Sequence, residues 1–180
     1  MRSRATSPPV ALPAIAVVLL ALVSPARSRA AAGRPAPPFS LTDIEGRKLD
    51  LASYRGKVVL LDFWATWCAP CRDVIPRFVA WQKRYGPRGF QVIGISLDDS
   101  AAPVVRFSRE FHLNYPVAVG NARLAERYGG ILGLPVAFVI DREGRIYSRH
   151  DGGTDPAAIR RDIERLLGGA RAKNGSPPRQ

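Results

Sequence analysis

Cys68 and Cys71 are the only cysteines of this 180-residue chain, and they stand three positions apart. In the first turn of a helix, side chains at positions i and i+3 face each other closely enough to form a disulfide. Cys68 is expected at the N-terminus of that helix, where unpaired backbone N–H groups and the helix dipole stabilise a thiolate. Cys71 is expected one turn deeper and shielded. Thiol–disulfide exchange requires such a pair, in which one thiol attacks and the other resolves the mixed disulfide.

Two other uses of the cysteine pair remain open. A zinc site would need two more ligands, and the two histidines, His112 and His150, show no paired spacing with the cysteines. A static structural disulfide between Cys68 and Cys71 would constrain the unfolded chain little, because the loop it closes is so short. We expect both histidines to be surface residues, and we predict no metal and no other cofactor.

Asp62 is the most informative residue outside the pair. It interrupts the apolar run 57–64, which reads KVVLLDFW and is expected to be buried. An ionised carboxylate is costly in such a place, so its pKa should rise. A carboxyl group beneath Cys71 could accept the proton of that thiol, directly or through water. The alternative is that Asp62 faces solvent or caps a turn.

The remaining elements are those of an α/β fold that positions the pair between a strand and a helix. The run 57–64 is typical of a strand buried on both faces, and Val74, Phe78, Trp81 and Tyr85 form one apolar helical face after it. Trp64, Trp67 and Trp81 are expected in the core and at the rim of the site. Further elements are predicted as a hairpin around 43–46, strands at 91–97, 136–140 and 145–149, and helices at 103–111, 122–128 and from Pro156, capped by Asp155. The late hairpin makes the sheet mixed.

The order of several motifs resembles one known family. They are Phe63-Trp-Ala-Thr, then Trp67-Cys-Ala-Pro-Cys71, and finally Gly133-Leu-Pro-Val-Ala-Phe-Val-Ile-Asp141, after a hairpin lead-in that begins at Phe39. This order resembles the exported TlpA/ResA-like thiol–disulfide oxidoreductases of the thioredoxin superfamily, from about Phe39 to Leu167. The resemblance implies a thioredoxin-like three-layer α/β fold with a mixed central sheet, an N-terminal hairpin extension and a central insertion.

The resemblance also assigns the site. It implies Cys68 and Cys71 as the redox-active disulfide and Asp62 as the acid–base group, with Trp67, Pro70, Leu134 and Pro135 contacting substrate. Pro135 should be cis and packed against the disulfide, leaving the backbone of Leu134 to pair with a substrate strand.

Two positions depart from the family pattern. Val74 stands where many TlpA/ResA-like proteins have Glu, and Val136 stands where many superfamily members have Thr. The missing Glu weakens any transfer of haem-protein specificity, and Asp62 is expected to supply the acid–base role instead.

The partners follow from the residues between the cysteines and from the resemblance. Ala69 and Pro70 offer the Cys68 thiolate no cation, so we expect a low reduction potential and a reductant. The expected partners are a disulfide-bearing envelope protein, with those of cytochrome c or copper-site assembly among the candidates, and a membrane protein that transfers thiol electrons. We expect a monomer. The alternatives are a Sco-like copper-delivery chaperone and a peroxiredoxin-like peroxidase.

The termini are predicted to lie outside the folded domain. Basic residues, an apolar run from Val10 to Val23 and small residues give segment 1–32 the layout of a secretory signal peptide, cleaved or retained as an anchor. This predicts export to the periplasm or the outer face of the cytoplasmic membrane. We predict a linker at 33–38, a domain at 39–169 and a disordered tail at 170–180.

The chain is basic, but the charge does not indicate a nucleic-acid partner. Its 27 basic and 15 acidic residues give a net charge of +12. Residues 1–32 hold four arginines and no acid, which leaves 23 basic residues and a charge of +8 on the rest. Since no basic run alternates with aromatic residues, we expect no nucleic-acid binding.

Overall fold

A computed structural model describes residues 33–152 and 154–168 of the chain. These residues form seven β-strands and four α-helices. The predicted signal peptide at 1–32 and the predicted tail at 170–180 lie outside the described residues. Within the described part, no helix is both long enough and apolar enough to cross a bilayer.

Five strands form one mixed sheet with the order β5-β4-β3-β6-β7. They are β3 (Val58–Trp64), β4 (Phe90–Ser96), β5 (Val117–Val119), β6 (Val136–Ile140) and β7 (Ile146–Asp151). Strand β3 lies at the centre, parallel to β4 and antiparallel to β6, and all seven of its residues are buried. The continuous apolar run of β3 is explained by this position, because helices cover both faces of a central strand.

The helices lie on both faces of the sheet, so the molecule has three layers. They are α1 (Ala69–Tyr85), α2 (Ala101–Glu110), α3 (Ala122–Arg127) and α4 (Pro156–Gly168). The apolar faces of α1, α2 and α4 share one core cluster with the even-numbered residues of β3. Helix α3 packs on the other face, with the odd-numbered residues of β3. The predicted α/β layering is confirmed, and α2, β5 and α3 occupy the stretch between β4 and Pro135 that the family resemblance assigns to a central insertion.

An N-terminal hairpin, β1 (Ser40–Thr42) paired with β2 (Lys48–Asp50), lies beside the sheet as the sequence predicts. Its turn contains Gly46 with φ +81°, a left-handed conformation that glycine adopts without strain. Asp43 pairs with Ala118, and the Ile44 N–H donates to the Val117 carbonyl at 2.8 Å. The hairpin therefore covers the outer edge of β5.

Segment 33–38, predicted as a linker, contains no helix, but it is hydrogen-bonded to the rest of the domain. Pro35 pairs with Arg145, and the Ala36 N–H donates to the Gly144 carbonyl at 3.0 Å. The Ile146 N–H donates to the Arg34 carbonyl at 2.9 Å. Prolines in this segment prevent a helix but not pairing at a sheet edge, where a missing N–H can face solvent.

Candidate active site

The cysteine pair lies where β3 passes into α1. Cys68 is the N-cap residue of α1, and Pro70 is in the first turn, where a missing N–H costs nothing. The two sulfurs are bonded at 2.06 Å, with the Cα atoms 5.3 Å apart. The Cys71 N–H donates to Cys68 Sγ at 3.2 Å, so a free N–H of the helix end points at this sulfur. The predicted positions of both cysteines are confirmed.

The two cysteines differ in their access to solvent. Cys71 is fully buried, whereas Cys68 is 5% exposed and follows Trp67, whose side chain is 70% exposed. Cys68 is thus the more exposed of the two residues and the one adjacent to an exposed side chain. The predicted division between an accessible and a shielded thiol agrees with this geometry.

A buried hydrogen-bond network holds the loop that leads into the pair. Asp98, 7% exposed, accepts hydrogen bonds from the Thr66 N–H at 2.9 Å and from Thr66 Oγ1 at 2.6 Å. Ser96 Oγ also donates to Asp98, at 2.6 Å. Sequence reasoning missed this network because it depends on the parallel pairing of β3 with β4, which brings the ends of both strands to one edge of the sheet.

Replacing Asp98 by alanine is expected to destabilise the protein by about 2–3 kcal/mol, because several donors lose a charged acceptor at once. It should also slow the first attack on a disulfide, since Thr66 no longer fixes the approach to Cys68. Urea unfolding and the rate of that attack measure the two effects. Asp99→Ala is the control, because Asp99 is exposed; equal effects from both variants would contradict a positioning role for Asp98.

Asp62 is buried in the centre of the sheet, 1% exposed. Among the described residues, neither of its carboxylate oxygens has a hydrogen-bond partner. Burial raises the pKa of Asp62 to about 8. The prediction that Asp62 is a buried acid is confirmed, and the alternative that it faces solvent or caps a turn is wrong. Its cross-strand neighbours are Gly94 and Ala137. Side chains of Trp64, Tyr115 and Val117 fill the space at Gly94, whereas the small Ala137 leaves room beside the carboxyl group on the β6 side.

A cavity of about 300 Å³ opens beside Asp62. Pro70 and Val74 of α1 and Pro135 before β6 also line it. The space beside the buried acid therefore extends to the helix that carries the cysteines and to the proline of the family motif.

His150 lines the same cavity, and its predicted place on the surface is wrong. Its side chain is 9% exposed, and Nε2 lies 3.1 Å from Oδ2 of Asp162 and 3.0 Å from Oγ of Ser148. The predicted strand ended at Arg149, one residue short of His150, whereas β7 continues to Asp151. His112 is exposed, as expected.

The remaining predicted substrate residues surround the pair. The Leu134–Pro135 peptide bond is cis, as the family resemblance implies. Pro70 and Leu134 line a surface groove together with Leu132, a fully exposed apolar residue that the sequence analysis did not single out. Together with Trp67, these residues give the surface around the disulfide an apolar character.

The two positions that depart from the family pattern are apolar and buried in the structure. Val74 is 9% exposed and lines the Asp62 cavity, and Val136 is 2% exposed on the opposite face of the sheet. A carboxyl group at position 74 would therefore have pointed toward the cavity where Asp62 already lies. In the described part of the chain, no cluster of three or more potential metal ligands occurs.

Comparisons with known proteins agree with this geometry. A sequence model of the AhpC/TSA family matches residues 32–149, a range that includes Asp62, both cysteines and Pro135. The thiol-disulfide oxidoreductase ResA of Bacillus thuringiensis subsp. konkukian is 33% identical over 120 residues, 67% of this chain and 69% of the relative. The ResA of Geobacillus thermodenitrificans is 30% identical over 140 residues, 78% of this chain and 80% of the relative.

Solved structures show the same fold. A thiol:disulfide interchange protein of the thioredoxin family from Chlorobium tepidum is 34% identical, with a TM-score of 0.70 over 77% of this chain and 99% of its own. A thiol-disulfide oxidoreductase from Bacteroides fragilis is 27% identical, with a TM-score of 0.64 over 74% of this chain and 100% of its own. The predicted thioredoxin-like fold is confirmed.

Proposed function

Since the chain belongs to the AhpC/TSA family and is a thiol–disulfide oxidoreductase, we propose that it reduces disulfides of exported proteins through a mixed disulfide on Cys68. The observation that carries the proposal is the Cys68–Cys71 pair at the start of α1, in which Cys68 is the more exposed residue. A helix N-terminus stabilises the thiolate that begins the exchange. The shielded Cys71 then completes it.

The reaction transfers two electrons from the two cysteines of the enzyme to the substrate disulfide. The Cys68 thiolate attacks a substrate disulfide, one substrate sulfur leaves as a thiolate, and a mixed disulfide forms. The Cys71 thiol gives its proton to the Asp62 carboxylate, directly or through water, and attacks Cys68 Sγ. The second substrate sulfur then leaves, and the enzyme is oxidised to the Cys68–Cys71 disulfide. The burial of Asp62 supports this role, because a carboxylate with a raised pKa accepts a thiol proton more readily than an ordinary one.

Electron flow toward the substrate is proposed from the residues around Cys68. Ala69 and Pro70 carry no charge, and the guanidinium of Arg72 lies over the rings of Phe107 and Phe111, 5.6 and 5.2 Å from their centroids. The thiolate is therefore stabilised mainly by the helix end. A less stabilised reduced form gives a lower reduction potential.

We expect a reduction potential below about −200 mV, measured by equilibration with a thiol–disulfide couple of known potential. Pro70→His is the comparison variant, because an imidazole beside Cys68 stabilises the thiolate and should raise the potential. A wild-type value near −120 mV, on the scale of strong oxidants, would contradict the proposed direction.

The proposed location and partners rest on the N-terminal segment. The basic, apolar and small-residue order of 1–32 supports export to the periplasm or the outer face of the cytoplasmic membrane. A reductant in an oxidising compartment needs electrons from the cytoplasm, so we propose a membrane protein that transfers thiol electrons as its partner. Envelope proteins, including those of cytochrome c or copper-site assembly, are the proposed substrates of a monomeric enzyme.

The proposed substrate surface is the apolar region around the disulfide. Trp67 and Leu132 are exposed, and Leu134 and Pro70 share a groove with Leu132. An extended substrate segment would lie along the chain before β6 and pair with the backbone of Leu134. The groove supports binding of unfolded or extended protein rather than of a small molecule.

The two alternatives are separated by direct assays. A peroxiredoxin-like peroxidase would consume hydrogen peroxide, and a Sco-like chaperone would bind copper through the reduced cysteines and a nearby histidine. His150 is bonded to Asp162, and His112 is exposed and lies after α2. Peroxide consumption and copper titration of the reduced protein therefore test these alternatives.

A further inference from the structure

Asp62 and His150 stand in one row across three neighbouring strands. Asp62 of β3 pairs in register with Ala137 of β6, and Ala137 pairs with His150 of β7. Directly paired residues of neighbouring strands project on the same face of a sheet. Since strands lie about 4.8 Å apart, the backbones at Asp62 and His150 are about 10 Å apart.

Ala137, the residue between them, does not fill the space that separates Asp62 from His150. Ala137 has only a methyl side chain, and the cavity of about 300 Å³ is lined by Asp62, Ala137 and His150 together. A water molecule takes up about 30 Å³ in the liquid, so the cavity is large enough for a short chain of water between the two groups. Both oxygens of Asp62 lack a partner among the described residues, which is costly for a buried carboxyl unless water reaches it.

His150 is held in place on the far side of this cavity. Its Nε2 lies 3.1 Å from Oδ2 of Asp162 on α4, which is 22% exposed, and 3.0 Å from Oγ of Ser148. A carboxylate partner favours the tautomer with the proton on Nε2, which leaves Nδ1 able to accept a proton. His150 thus lies between the Asp162 carboxylate and the cavity, whose outer lining includes the exposed residues Asp73 and Asp155.

The other groups around the cavity are less suited to pass a proton between Asp62 and solvent. Tyr115 adjoins Asp62 from the β5 side, and burial raises its pKa further above the ordinary value. The other charged side chains of the cavity lining are Asp73 and Arg77 from α1, Asp151 from β7 and Asp155 before α4. Among these groups His150 alone combines a register position in the Asp62 row with a ring that carries both a proton donor and a proton acceptor nitrogen.

We propose that His150, oriented by Asp162, is the group that exchanges protons between Asp62 and solvent across this cavity. The inference rests on the proposed function, in which Asp62 takes the proton of Cys71. That proton passes from the Asp62 carboxyl through water to Nδ1 of His150, while Nε2–H gives up a proton toward Asp162 and solvent. The imidazole returns to its starting tautomer by exchange with water. Because burial raises the pKa of Asp62 to about 8, most of the carboxyl is protonated at neutral pH, and this exchange must ionise it before Cys71 can resolve the mixed disulfide. No electron moves in this step.

The test uses the full reduced chain and dithiobis(nitrobenzoate), a disulfide whose halves absorb light once released as thiolates. Attack by Cys68 releases the first half, and resolution by Cys71 releases the second. In His150→Gln we expect an unchanged first phase and a second phase about tenfold slower at neutral pH, less than the roughly 100-fold of a direct acid–base group. Added imidazole should restore the second phase, because it carries protons in place of the missing side chain.

His112→Asn is the control for loss of a histidine; His112 is exposed and has φ +51°, a conformation that asparagine tolerates. Its second phase should match the wild type.

Asp162→Asn should slow the second phase by about threefold, as loss of an orienting partner does, and added imidazole should restore it. This variant provides the test if His150→Gln does not fold. A second phase of normal rate in the histidine or Asp162 variant, or a slowed phase that imidazole does not accelerate, overturns the proposal. If Asp62→Asn also resolves at the normal rate, the role of Asp62 itself fails; if only Asp62→Asn is slow, the relay alone fails.

Discussion

Replacing Cys71 by serine is expected to leave the enzyme able to attack a disulfide but unable to release its partner. Cys68 keeps its place at the start of α1, and the Cys71 backbone N–H that donates to its sulfur is unchanged. Resolution should fall by more than about 10³-fold, because loss of the group that forms the new bond leaves only uncatalysed routes. Substrates should therefore accumulate as mixed disulfides on Cys68.

Cys68→Ser is the matched variant, because it removes the attacking sulfur and keeps Cys71 in its buried position. Neither the first attack nor any trapped adduct should be seen with it. The adducts are measured by non-reducing electrophoresis and mass spectrometry of the Cys71→Ser protein, with and without added thiol. Adducts on Cys71 in the Cys68→Ser protein, at a level similar to those on Cys68, would reverse the assignment of the two roles.

The second large effect concerns Asp62 and the pH dependence of stability. The pKa of this carboxyl is raised to about 8 by burial, from 3.8 in the unfolded chain. Between pH 3.8 and about pH 8, the folded protein therefore keeps a proton on Asp62 that the unfolded chain has already released. The contribution to stability is fully present below pH 3.8, is lost as pH rises, and is gone above about pH 8. The loss is on the order of 5 kcal/mol across this range.

Asp62→Asn should remove this pH dependence, since asparagine does not titrate. With both proteins in the disulfide form, the variant should be more stable than the wild type by about 1–2 kcal/mol at pH 5 and by about 5 kcal/mol at pH 9. Urea unfolding at both pH values measures the difference. Resolution of the mixed disulfide should slow by about 10²-fold in the same variant while the first attack is unchanged. Parallel stability curves for the two proteins between pH 5 and pH 9 would show that Asp62 is not a buried acid.

The parts of the site that the sequence predicts are those whose signals are local. The cysteines follow a continuous apolar run and precede a helical face, so their position at the start of α1 follows from periodicity. Asp62 interrupts that apolar run, and a single acid in a buried strand is visible without knowing its neighbours. The motif Gly133–Asp141 identifies Pro135 through the family resemblance.

The missed parts depend on pairing between distant strands. His150 is significant only because β7 places it opposite Ala137, and β6 places Ala137 opposite Asp62. A shift of one residue in either register would turn His150 to the other face, and no residue near position 150 specifies that register. Asp98 likewise reaches Thr66 because β3 and β4 end side by side. The composition of segment 33–38 excludes a helix, but it does not predict the hydrogen bonds that this segment makes with the sheet edge.

The two covered edges of the sheet matter for the proposed function, in which the enzyme binds extended or unfolded protein substrates. An uncovered strand edge offers free N–H and C=O groups, and a partly unfolded polypeptide can add to it and begin an aggregate. The β1–β2 hairpin closes the β5 edge at Val117 and Ala118, and segment 33–38 closes the first part of the β7 edge at Arg145 and Ile146. Farther along β7, Arg149 places a charge at the edge and pairs with Asp151 at 2.8 Å. If the substrates are unfolded proteins, as proposed, these covered edges leave the region around the disulfide as the place where they bind and lower the risk that the enzyme aggregates with them.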